Sequence, residues 1–162
     1  MTAESSRAEA LERLLAVLLE EEMALAALVG LALEEQRALI HNDHQQIERV
    51  AELMERASDG LDALDRQRQA LAHELGAPER LEQLAPLAEE LGVAAFGPAR
   101  LRLAAAAAQL REAQEQNARL ILNALRLRER WYGLLAGLNA STYGSGGRQD
   151  LGGGRGLLSR SA

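Results

Sequence analysis

The chain is 162 residues long with a formal charge of −6, and Leu and Ala make up 63 of those residues against 4 Val, 3 Ile and 2 Thr. With β-branched residues scarce and aromatics at 2%, the composition excludes a β-protein and favours helix throughout. Cysteine is absent and all 18 basic residues are Arg, which removes disulfides, thiolate nucleophiles, Cys metal sites, a P-loop lysine and lysine catalysis.

A first helix is predicted over about 6–41, with Ser6 and Glu9 placed as a capping box. Leu11, Leu18, Leu25, Ala32 and Leu39 keep a seven-residue beat, with Leu14/Leu15 and Leu28/Val29 at the intervening three-to-four spacing that lines one side of a helix. Glu20, Glu21 and Glu22 read as a mostly solvated helix face. The segment His41-Asn42-Asp43-His44 suits a reversal, since Asn42 or Asp43 is a good N-cap and Gln46 follows Asp43 by three. The phases on either side also allow one continuous helix bent at Asn42. A second helix over about 43–75 carries Ile47, Val50, Met54, Ala57, Leu61, Leu64, Leu71 and Leu75, and Gly76 caps it. Arg68 stands at an apolar position of that seam, and Ser58-Asp59-Gly60 weakens its middle.

A short helix is predicted at 78–91, opened by Pro78 and interrupted by Pro86, as a connector packed across the bundle. A third long helix over about 98–138 follows, with Leu103, Leu110, Asn117, Ala124, Trp131 and Leu138 in seven-residue register. Asn117 is polar at a seam position, which in coiled coils fixes register. Residues 139–162, rich in Gly, Ser and Arg, read as a flexible tail. The fold class expected is all-α: three long helices in an antiparallel coiled-coil-like bundle, residues 1–138, with a helical connector and a Gly-rich C-terminal tail.

The charge is uneven. Residues 1–99 hold 8 Arg against 20 carboxylates and residues 100–162 hold 10 Arg against 4, a pattern read first as complementarity between packed helices and second as a basic region for an acidic partner. Nucleic acid fits poorly, because the Arg residues alternate with Leu and Glu and few aromatics are placed to stack on bases. The acidic N-terminus lacks the basic region of a secretory signal, and the longest uncharged apolar stretch, Met23 to Leu33, is far shorter than the roughly 20 residues that span a membrane. A cytoplasmic protein without direct membrane insertion is expected.

Chemistry is weakly signalled. His41, Asp43 and His44 are explained by a capped turn as readily as by metal ligation, no Glu-x-x-His pair occurs, and the tail glycines never complete a dinucleotide fingerprint. The expectation is no enzyme, no cofactor and no metal. What stands out is surplus apolar surface: a second row on the third helix at Ala118, Leu122, Leu125, Tyr132 and Ala136, interrupted only at Glu129, beside the seam. Either the connector or another copy covers it, or it accepts an amphipathic helix from a partner.

Asp43-x3-Ile47, Arg68-x2-Leu71-x3-Leu75-Gly76, Asn117-x2-Leu120-Ile121 and Tyr143-Gly144-x2-Gly147, in this order before a Gly/Arg/Ser tail, resemble the flagellar export chaperones of the FlgN type. The resemblance implies an ATP-independent cytoplasmic chaperone that binds C-terminal helical segments of the hook–filament junction proteins and delivers them to the flagellar type III export apparatus. The client-binding residues expected are Ala118, Leu122, Leu125 and Tyr132, with Leu135 and Leu138 near the helix end. In related export chaperones a C-terminal tyrosine docks on the cytoplasmic domain of the export gate, and Tyr143, with Gly144, is the matching position here. The competing reading is a structural coiled-coil adaptor whose second stripe closes a homodimer.

Overall fold

A computed structural model describes the backbone of residues 3–77 and 80–147 and the side chains of residues 4–77 and 80–136. Among the described residues the regular structure is helical: α1 (Ala3–His41), α2 (His44–Glu74), a 3-10 turn (Leu81–Leu84), α3 (Ala85–Glu90) and α4 (Phe96–Gly147). They form an all-α bundle, as the composition requires. The chain divides into two compact units, residues 1–120 and residues from 121 onward.

α1 begins at Ala3, ahead of the Ser6 cap read from the sequence, so Ser6 lies inside the helix. The predicted reversal is present, and its chemistry is local. Asn42 takes the left-handed conformation at φ 55°. The Asp43 amide then donates to Ala38 O at 2.9 Å and the Asn42 amide to Leu39 O at 3.2 Å, which closes the last turn of α1 as a Schellman motif. Asp43 opens α2 at once, its carboxylate accepting from the Gln46 amide at 3.1 Å. The same device ends α2: Gly76, at φ 84°, sits where a Cβ would be strained, and Ala77 N–H reaches Ala72 O at 2.9 Å. Gly60 does not break α2.

Cross-helix pairs give the directions. Arg13 meets Glu74 and Arg68 meets Glu21, so numbering rises on α1 as it falls on α2 and the two helices are antiparallel. Arg102 meets Glu22 and Gln36 meets Gln116, both pairs 80 residues apart, so α4 runs parallel to α1. The result is an up-down-up arrangement within residues 1–120.

Two apolar clusters hold it together. One joins Leu11, Leu14 and Leu18 of α1 to Ala77, Leu84, Ala88 and Phe96, with Leu71 and Leu75 packed alongside. The other joins Leu25, Leu28 and Ala32 to Leu110 and Ala113, with Met54, Ala57 and Leu61 of α2 packed alongside. Each fully buried Leu contributes roughly 1.5–3 kcal/mol, so this heptad seam is the main source of cohesion.

The connector differs from its sequence reading. The described part of 78–91 is a 3-10 turn followed by the six-residue α3, and Pro86 lies in the first turn of α3 instead of interrupting a helix. A first-turn proline sacrifices no helical hydrogen bond. For the same reason Pro98 lies inside the first turn of α4, which begins at Phe96. The far end of α4 was placed at about 138; the helix continues to Gly147, so Tyr143 and Gly144 belong to its last turns and not to a tail. The expectation for residues 148–162 lies outside the described residues.

Candidate functional site

Glu21 departs most from the sequence reading. It was grouped with a solvated acidic face, yet it is 3% exposed. A carboxylate there needs a counterion, and the out-of-pattern Arg68 of α2 supplies one: its Nε donates to Glu21 Oε1 at 3.0 Å, while its Nη2 binds Asp65. Two polar residues at seam positions, one on each helix, therefore complete each other and hold α1 and α2 in one register. The fit is incomplete, since Glu21 Oε2 is buried without a hydrogen-bond partner.

Desolvation by burial raises the Glu21 pKa above its ordinary value of 4.5, and the Arg68 hydrogen bond and charge only partly offset this. A carboxyl whose folded pKa is raised binds its proton more readily when folded. Its contribution to stability is therefore full below the unfolded pKa and is lost as the pH rises through the folded value. Glu21→Gln, which resembles the protonated state, is expected to be at least as stable as the parent at pH 7. Urea titrations across pH 4.5–7 should show the difference closing as the pH falls. A variant that is clearly less stable at pH 7 would mean that the ion pair outweighs the desolvation.

Asn117 behaves as a register residue between α1 and α4. It is 3% exposed, and its Nδ2 donates to Ala32 O at 2.7 Å and to Glu35 Oε2 at 2.8 Å. Removing it would strand the buried part of that network and free the helices to slide by a turn.

The charge asymmetry is partly internal: Arg102 pairs with Glu22 and Arg100 with Glu82. An open cleft of about 450 Å³ lies over Leu103 and Ala107 and is bounded by Arg68, Arg80, Glu82 and Arg100. Glu21 and Asp65 engage Arg68 and Glu82 engages Arg100, so little positive charge remains there for an anion. At the reversal, His41 Nδ1 lies 2.7 Å from Arg37 O and Asp43 is the α2 cap. Among the described residues no group of three or more His, Asp or Glu side chains is placed to hold a metal ion.

The apolar surplus is larger than the sequence suggested. Of the expected client-binding residues, Ala118 is exposed, and Leu122, Leu125, Tyr132 and Leu135 are 52%, 40%, 65% and 52% exposed. Leu138 is helical, with its side chain outside the described residues, as is the side chain of Tyr143.

Sequence reasoning missed the opposite row. Trp131 and Ala124 were assigned to the buried seam, yet Trp131 is 59% exposed, Ala124 is exposed, and Leu127 and Leu134 are exposed as well. The seam periodicity persists through this stretch, but periodicity alone does not say whether a partner is present. Every residue from Ile121 to Ala136 is exposed.

Fold and surface together define an all-helical protein in which a register-locked bundle accompanies a helix with uncovered large apolar side chains on several sides. The FlgN protein family matches residues 1–150, and the chain belongs to that family, the FlgN-type flagellar export chaperones. No curated protein and no solved structure matches the chain. Among the described residues no helix is long and apolar enough to cross a membrane.

Proposed function

We propose that this chaperone works in the cytoplasm without ATP. It binds C-terminal helical segments of hook–filament junction proteins through residues 118–138 of α4, keeps them from assembling early and delivers them to the type III export apparatus. The observation that carries this reading is the exposure of Leu122, Leu125, Tyr132 and Leu135 on one helix. A monomeric protein rarely leaves a contiguous apolar row in water unless something binds there. An amphipathic client helix would cover it in the helix-in-groove manner.

Leu125→Asp tests the site. The side chain is already exposed, so thermal unfolding should stay within about 0.5 kcal/mol of the parent, whereas calorimetric binding of a junction protein should weaken at least tenfold. Loss of folding would place the row in the core. A tight dimer in sedimentation, with no client binding, would favour a homodimeric adaptor instead.

Delivery is assigned to Tyr143 with its neighbour Gly144, in the last turns of α4. Tyr143→Ala is expected to leave client affinity unchanged and to reduce both association with the cytoplasmic domain of the export gate and secretion of the client. Unchanged gate binding would remove Tyr143 from that role.

A further inference from the structure

The chaperone reading explains one exposed row of α4, but residues 121–136 carry two. At 100° per residue, Leu122, Leu125 and Tyr132 cluster on one side of the helix and Leu127, Trp131 and Leu134 on the other, with centres about 165° apart, and Ile121 and Leu135 fall between the two clusters on the Arg128 side. All eight side chains are exposed. A helix packed on one side covers a stripe of roughly 100°, so a single client helix leaves the other row in water.

The charges between the rows have one dominant sign. Arg119, Asn123, Arg126 and Arg130 follow one another at four, three and four residues along one boundary, and Arg128 lies on the other. Glu129 is the one carboxylate in 121–136, against three Arg, and it lies within the first row, between Leu122 and Leu125 on the wheel. Arg119, Arg126 and Arg130 thus flank both rows along one boundary and Arg128 marks the other, the positions where packed helices exchange ion pairs. Two copies of this segment would bring like charges together, which disfavours self-pairing and favours an acidic partner.

We infer that residues 121–136 are clasped between two amphipathic helices of a single client, each with carboxylates flanking its apolar face. The two client helices come from one chain because each row offers only a few large side chains, little for independent capture, while linkage makes engagement of the second row intramolecular. This rests on the chaperone reading and adds to it the number of helices and the charge of the bound segment.

The chain has no cysteine, so a single introduced thiol reports on one face. Leu122→Cys and Leu127→Cys, made separately in the full chain, should be modified rapidly by a maleimide when free. In the presence of a saturating junction protein, both should react at least tenfold more slowly, and calorimetry should give one client per chaperone. Arg126→Glu combined with Arg130→Glu should weaken binding at least tenfold and flatten its dependence on salt. Protection of one thiol only, two clients per chaperone, or indifference to the charge reversal overturns the inference while leaving the chaperone reading intact. Absence of any binding by the unsubstituted chain overturns both. Protection of both thiols without client, in a dimer, assigns the faces to a second copy and overturns the clasp.

Discussion

Arg68→Leu is expected to cost about 3 kcal/mol at pH 7, whereas Glu21→Leu costs less than about 1 kcal/mol, although the two residues form one ion pair. The asymmetry comes from burial: the Glu21 side chain is 4% exposed and that of Arg68 is 25% exposed. Without Arg68 the Glu21 carboxylate is left in an apolar seam with no counterion. Without Glu21, Arg68 still binds Asp65 and reaches water. The double variant Glu21→Leu with Arg68→Leu restores an uninterrupted seam and should return to within about 1 kcal/mol of the parent, or exceed it, as buried pairs replaced by hydrophobic residues often do. Denaturant titrations of the four proteins measure the cycle. Equal costs for the two single variants, or additivity in the double, would show that the pair is not the unit described. Acidification should also reduce the cost of Arg68→Leu, because protonating Glu21 removes the stranded charge.

Phe96→Ala is expected to be the most damaging single truncation, at about 3–5 kcal/mol. Phe96 is fully buried and is the one phenylalanine of the chain. It ties the start of α4 to Leu11, Leu14 and Leu18 of α1 and to Leu84 and Ala88 of the connector. The cavity would open where three segments meet, and connector and helix start are expected to loosen together. Hydrogen exchange should show amides of 84–99 losing protection ahead of those around Val50. Phe96→Leu, which keeps most of the volume, should cost less than half as much. A loss below about 1 kcal/mol for the alanine variant would show that the connector is not part of the cooperative core.

Much of the bundle is legible in the residue order because its determinants are local. Leu11, Leu18, Leu25 and Ala32 were placed on a seam by spacing alone, and all four are buried. Asn42, Asp43 and Gly76 mark helix ends because left-handed residues and side-chain caps act within one turn. Boundaries failed where two local signals competed. Pro86 looked like an interruption, yet in a first turn it is tolerated, and the Gly- and Ser-rich stretch after 138 looked like coil, yet α4 runs on to Gly147.

The sequence by itself determined the fold class, the seams and the presence of more apolar surface than one stripe uses, because helix propensity and heptad spacing are properties of neighbouring residues, while it left a reversal and a bend at Asn42 both open. Only the tertiary structure decided which members of those patterns are covered. Glu21 stands seven residues from Leu14 and Leu28, in step with the seam, but its burial as a charged residue follows from α2 passing over it with Arg68 in reach. Trp131 carries the same seam signal as Leu110, yet Leu110 is buried in a cluster with Leu28 and Ala32 of α1 while Trp131 is exposed. Burial depends on whether another element packs alongside, and that is set elsewhere in the chain.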